Sequence, residues 1–169
     1  MPRLLDYVAA LAVGTGAATA SDHWIREAPL TGQDGLKIGA VQLADGRHGM
    51  VVRVQAGGIG EGFHGVHLHE VGDCSDAAAG FKASGGHIDI AGNQHGLLNP
   101  DGYHVGADFP NVYAGLDGHL GAELFAAGLR LEQADDSDGF ALVIHAREDD
   151  HKTQPIGGAG ARIACAAFD

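Results

Sequence analysis

Glycine sets the first limit on this chain. It supplies 28 of the 169 residues, and the glycines fall between short apolar runs rather than in a repeating triplet. A helix bundle would not tolerate that many, and a collagen-like rod would need the triplet. Short apolar runs divided by turn residues favour an all-β fold with many turns and long loops. The length suits one domain with a sizeable core and little room for a second. The net charge of −12 excludes nonspecific attachment to nucleic acid or anionic lipid, both of which need a basic face. A small anionic substrate is still admissible, because the field inside a cleft can oppose the global sign.

The N-terminus, MPRLLDYVAALAVGTGAATASDHW, has a positive start at Arg3, an apolar stretch from Val8 to Val13 and a small-residue pattern at Ala18-Thr19-Ala20. It reads as a secretory signal peptide over residues 1–20. The mature domain is then 21–169, periplasmic or otherwise exported. No other apolar run approaches the length of a membrane span. Cys74 and Cys165 fit a disulfide in an exported domain; the other reading, thiolate metal ligands, lacks a C-x-x-C pair.

Alternation predicts strands at 36–43 and 49–56 around a turn at Asp45-Gly46. Further strands are predicted at 63–70, 112–114, 119–125, 129–133, 140–146 and 161–168. About eight antiparallel strands make a β-sandwich or barrel. The segment AELFAAGLRLEQA carries some helical periodicity, but Gly128 interrupts it and it is read as strand. Two long polar stretches remain, from Gly72 to about Asn111 and over REDDHKTQPIGGAG (147–160). Loops of that length in a compact domain are usually functional.

Histidine points to the chemistry. GFHGVHLHEVGDC (62–74) holds His64, His67 and His69. Side chains alternate along a strand, so His67 and His69 share a face and can chelate one ion, whereas His64 projects from the other face and reads as a hydrogen-bonded packing residue. A cupin uses a similar pair but needs a Glu four or five positions on, where Asp73 and Cys74 stand. In SGGHIDIAGNQHGLLNPDGYHVGADFPN, His87, His95 and His104 precede Asp108. Those three nitrogens and one oxygen suit tetrahedral zinc; a solvated His-rich loop is the plainer alternative. His145 closes the run GFALVIHA, either as a core-edge residue or, beside the HxH strand, as part of a nitrogen-rich site suited to copper.

Taken in order, HGVHLHEVGDC, FKASGGH, HGLLNPDGYH, VIHAREDDHKTQP and GGAGARIACA resemble the bacterial, exported branch of the copper/zinc superoxide dismutases. The resemblance runs from about residue 30 to the C-terminus. It implies a Greek-key β-barrel with two long functional loops, which converts superoxide into dioxygen and hydrogen peroxide using copper and zinc. It implies copper on His67, His69, His87 and His145, and zinc on His87, His95, His104 and Asp108, with His87 shared. Asp149 then hydrogen-bonds one copper histidine and one zinc histidine, Cys74 and Cys165 form a disulfide, and Arg162 guides the anion while His87 carries a proton. Two departures stand out. The family's zinc Asp comes three residues after the histidine matched by His104, whereas Asp108 comes four after it, with Asp101 a poorer substitute. GGHIDI also lacks the aromatic-Asn/Asp-Pro that follows the bridging histidine, which implies a looser zinc loop. The altered spacing supports one alternative, a non-catalytic periplasmic copper/zinc-binding domain. His23, His48, His119 and His151 are read as surface residues, and the sequence leaves monomer and homodimer both open.

Overall fold

The computed structural model describes residues 23–169, so the signal-peptide reading of residues 1–20 lies outside the described residues. The strands are β1 (Arg26–Gly32), β2 (Lys37–Gly46), β3 (Gly49–Ala56), β4 (Gly62–His64), β5 (Val66–His69), β6 (Val112–Ala114), β7 (Leu120–Ala127), β8 (Phe140–His145) and β9 (Arg162–Phe168). One α-helix, α1 (Leu131–Ala134), accompanies them among the described residues. Seven strands form an antiparallel sheet in the order β5-β8-β9-β1-β2-β3-β7, and β4 pairs with β6 in a second sheet. The late strand β9 returns to lie beside the β1-β2-β3 meander, which is the Greek-key arrangement.

Period-two patterning builds the barrel wall. On β3, Met50, Val52, Val54 and Ala56 are buried while Gln55 is exposed. Leu30, Val41 and Leu43 meet them from β1 and β2. β5 and β8 break that pattern, because every residue on both is buried. Val66, Leu68, Phe140, Leu142 and Ile144 face the core. The alternate positions, His67, His69, Ala141, Val143 and His145, face outward beneath loops. One of those loops is pinned by the Cys74–Cys165 disulfide and by Phe81, which is fully buried against Ala141, Val143 and Cys165. Burying a phenylalanine side chain in this way stabilises by about 1.5–3 kcal/mol.

The structure corrects several strand boundaries. The stretch 63–70 is not one strand: it breaks at Gly65, β4 pairing with β6 and β5 with β8. The hairpin turn falls at Arg47-His48, with Gly46 opposite Gly49, rather than at Asp45-Gly46. Asp45 is used differently. Its Oδ1 accepts the Leu131 N–H at 3.0 Å, and Gln133 Oε1 accepts the Arg130 N–H at 2.9 Å. Those two caps turn 129–133 into the start of α1 instead of a strand, once Gly128 at φ 79° has ended β7. β1 lies outside the strands expected from the sequence, because Pro29 and two charged residues disguise its inward Ala28 and Leu30.

The disulfide spans 91 residues of chain. A metal-free Cys74→Ala/Cys165→Ala variant should therefore lose about 2–5 kcal/mol relative to the oxidised parent, read from urea denaturation.

Candidate metal centre

Four histidines converge outside the barrel wall. His67 and His69 come from β5, His145 from the end of β8 at a register shift, and His87 from the loop that forms a backbone bridge to His69. One nitrogen from each lies within 4.8 Å of those of the other three. His67, His69 and His145 are fully buried and His87 nearly so.

Each imidazole uses one nitrogen on the protein. His67 Nε2 is 2.7 Å from Asp149 Oδ2. His69 Nδ1 donates to Gly85 O at 3.0 Å and His145 Nδ1 to Gly160 O at 3.1 Å. His87 Nδ1 lies 3.3 Å from Asp108 Oδ1. The remaining nitrogens, His67 Nδ1 and the Nε2 atoms of His69, His87 and His145, are buried with no hydrogen-bond partner. A carbonyl can only accept, so His69 and His145 keep their proton on Nδ1 and expose a lone pair at Nε2. Burial, with the neighbouring histidines opposing further charge, pushes His67 down to about 3, His69 to about 2 and His145 to about 4. All three are neutral donors at neutral pH.

A second cluster lies behind His87. Asp108 Oδ1 is 2.8 Å from His95 Nδ1, 3.3 Å from His87 Nδ1 and 3.5 Å from His104 Nδ1. His87 Nδ1 and His104 Nδ1 are 3.2 Å apart. A tetrahedral zinc ion with bonds of about 2.0–2.1 Å holds its donors about 3.3 Å from one another, and these spacings bracket that value. His67 also falls within 4.8 Å of His87, His95 and Asp108. Its Nε2 is committed to Asp149 and its Nδ1 belongs to the other group, so His104 is the better fourth donor. The extra residue before Asp108 is taken up in a turn, where the Ala107 and Asp108 N–H groups both donate to His104 O, at 3.0 and 3.1 Å. Asp101 is exposed and belongs to neither group of converging ligand atoms. Burial opposes the charge of Asp108, but hydrogen bonds from His104, His87 and His95 outweigh it and hold the carboxyl far below its usual range.

Asp149 joins the two groups. Its Oδ2 meets His67 Nε2 and its Oδ1 meets His95 Nε2 at 3.2 Å. Two side-chain amides fix this junction, and neither is visible as a sequence motif. Asn111 exchanges hydrogen bonds with the Asp149 backbone, both at 2.8 Å. Gln154 does the same with His95, at 3.0 and 2.7 Å. Gly157, at φ 60°, has to be glycine: a Cβ there would lie 1.6 Å from Asp149 Oδ1. His151 is not a surface residue. It is half-buried, its N–H donates to Asp149 Oδ1 at 2.6 Å, and its carbonyl accepts from Leu98 at 3.1 Å. His23, His48 and His119 are exposed. His64 packs behind the cluster, its ring nitrogens 2.7 Å from His145 O and 2.8 Å from Gly60 O. Arg162 opens β9 opposite His145, its guanidinium bound to Phe81 O at 2.7 Å and Gly85 O at 2.8 Å.

The family model described as copper/zinc superoxide dismutase matches residues 37–168. This chain belongs to the copper/zinc superoxide dismutase family. A family member from Caulobacter vibrioides, "Superoxide dismutase [Cu-Zn]", is 44% identical over 78% of this chain and 78% of its own length. One from Aquifex aeolicus, "Superoxide dismutase [Cu-Zn] 2", is 34% identical over 88% and 89%. Among solved structures, a SOD-like protein from Bacillus subtilis superposes with a TM-score of 0.81 at 29% identity, covering 86% of this chain and 99% of that one. The Cu/Zn superoxide dismutase of Brucella abortus gives 0.69 at 27% identity, covering 85% and 99%.

Burial and charge pairing in the two clusters set how metal-free protein responds to pH. His67, His69 and His145 have folded values of about 3, 2 and 4 against 6.5 in the unfolded chain. The unfolded state therefore binds more protons as the pH falls below 6.5, and stability drops. The depressed carboxyls of Asp108 and Asp149 add to the loss below about pH 4. His95 has the opposite sign. Burial works against its charge, but Asp108 and Asp149 overcome this and raise it to about 9, so its contribution is full below 6.5 and lost as the pH rises through 9. Urea midpoints of the metal-free chain should peak near pH 6.5 and fall more steeply on the acid side, where His87, also lowered by burial, acts together with these three histidines.

Proposed function

We propose that His67 Nδ1 and the Nε2 atoms of His69, His87 and His145 hold copper, and that Nδ1 of His87, His95 and His104 with Asp108 Oδ1 hold zinc. The paired site converts two superoxide anions and two protons into dioxygen and hydrogen peroxide. The observation that carries this reading is the set of four buried, unpartnered nitrogens on one face of β5 and β8 and the adjoining loop. Four imidazole nitrogens suit copper, and three with a carboxylate suit zinc.

Copper bound there supplies a centre that takes one electron from the first superoxide and returns it to the second, while zinc is redox-silent. The protein's own groups do the rest. His87 offers one ring nitrogen to each cluster, so a single side chain joins them. In the half of the cycle in which its Nε2 is not committed to copper, that nitrogen holds a proton, which it gives to the nascent peroxide in the other half; solvent supplies the second proton. Asp149 sets the orientation of His67 and His95 together, as a carboxylate behind metal-binding histidines does. Arg162 places a fixed positive charge beside His69 and His145, focusing an anion onto the site of a protein whose net charge is −12.

The spacing that supported a non-catalytic binding domain is absorbed in the His104–Asp108 turn, which leaves that alternative without an observation of its own. Export belongs to the same proposal, with residues 1–20 as the signal peptide and 21–169 as the single exported, periplasmic domain. The Cys74–Cys165 disulfide supports an oxidising compartment.

Pulse radiolysis tests the activity. Protein loaded with copper and zinc should remove superoxide at a rate approaching the diffusional ceiling of about 10⁸–10⁹ M⁻¹s⁻¹, and zinc-only protein should not exceed the spontaneous rate. Equal decay in the two samples would contradict the assignment. In the loaded enzyme, Arg162→Ala should lower the rate about tenfold at low ionic strength and flatten its salt dependence; an unchanged salt profile would remove Arg162 from steering.

A further inference from the structure

Ser84 is fully buried and stands between two groups of the proposed site. Its Oγ is 2.8 Å from Phe81 O, 3.0 Å from Arg162 Nη1 and 3.4 Å from His69 Nδ1. Chemistry fixes the direction of each contact. A carbonyl can only accept and a guanidinium can only donate. The single Ser84 proton therefore goes to Phe81 O, and a lone pair receives Arg162. With that proton spent, Ser84 Oγ can only accept at His69 Nδ1, beside the shorter bond from the same N–H to Gly85 O.

The turn that carries Ser84 is held from several sides. Phe81 sits in the left-handed region at φ 55°, where an aromatic residue is uncommon, and its buried ring keeps it there. Asp76 O accepts the Phe81 N–H at 3.3 Å, and Asp76 Oδ2 accepts that of Ala83 at 3.1 Å. Gly85, at φ 73°, follows; a Cβ there would meet Glu70 Cγ at 2.7 Å. The Gly85 carbonyl then receives both His69 Nδ1 and Arg162 Nη2. One carbonyl and one hydroxyl are thus each shared between the same cation and the same histidine.

We infer that Ser84 is a positioning residue for anion capture: its hydroxyl holds Nη1 of Arg162 in place beside His69. This rests on the copper site and the anion-guiding role of Arg162 proposed above. Without the hydroxyl, Nη1 keeps only the Phe81 carbonyl, and the guanidinium gains freedom on the side that faces the histidines.

Azide, a small unreactive anion, is the probe. Copper- and zinc-loaded parent, Ser84→Ala, Arg162→Ala and the double variant are titrated with azide and followed by the absorption of the bound anion. Ser84→Ala removes one oxygen from a buried position and adds nothing, so the fold is retained. Azide affinity should fall about tenfold in Arg162→Ala and about threefold in Ser84→Ala. The double variant should match Arg162→Ala alone, because Ser84 acts through Arg162. Parental affinity in Ser84→Ala beside weakened binding in Arg162→Ala overturns the inference and leaves the Arg162 reading intact. Parental affinity in both variants overturns the two together. Losses that add in the double variant show that Ser84 acts independently of Arg162, and also overturn the inference.

Discussion

Leaving a buried imidazole with one nitrogen unpaired costs on the order of 1–3 kcal/mol, and this chain does so four times in one small volume. Metal binding offsets such a cost, because the coordination energy becomes folding energy. The rest of the architecture follows from having to hold that cluster. A barrel interior cannot supply it, since its inward positions are filled by Leu68, Leu142 and their neighbours. The histidines therefore stand on the outer face of β5 and β8, and the protein must bring its own cover. That explains why two strands are buried on both faces, and why so much of the chain is loop. It also explains why the loops are tied down by a disulfide, by Phe81 and by the Asn111 and Gln154 amides.

Electrostatics divides the work between the two halves of the site. The proposed copper histidines are held neutral by burial, so protons do not compete for their lone pairs near neutral pH. His95 is the exception. Caught between Asp108 and Asp149, it keeps a proton in the metal-free protein, and the zinc proposed there would have to displace that proton on binding. Asp149 contacts His67 on one side and His95 on the other, so one carboxylate orients a histidine in each half. Arg162 brings the opposite charge to the mouth of the site on a turn that also carries an acceptor of His69.

Much of this could be read from the residues in order. Alternation marks β2 and β3, short apolar runs between turn residues mark β7, β8 and β9, and the HxH pair with the loop histidines marks where the chemistry lies. What could not be read was set by contacts distant in sequence. β1 hides behind Pro29 and gains its definition from pairing with β2. The strand expected at 129–133 was lost to a cap supplied by Asp45, far away in the chain. Gly65 split one apparent strand into two because its halves pair with different partners. In the site, Asn111 and Gln154 bind backbone groups, and backbone leaves no signature in side-chain spacing. His151 looked like one more polar loop residue, yet its amide completes the shell of Asp149.

The most direct test is a crystal structure of the copper- and zinc-loaded protein with anomalous data collected at both metal edges. The account predicts a copper peak about 2.0–2.1 Å from His67 Nδ1 and from the Nε2 atoms of His69 and His145. It predicts a zinc peak at the same distance from Nδ1 of His87, His95 and His104 and from Asp108 Oδ1, with His87 Nε2 turned to the copper. Copper bound through His67 Nε2, or zinc held by His67 in place of His104, would contradict it.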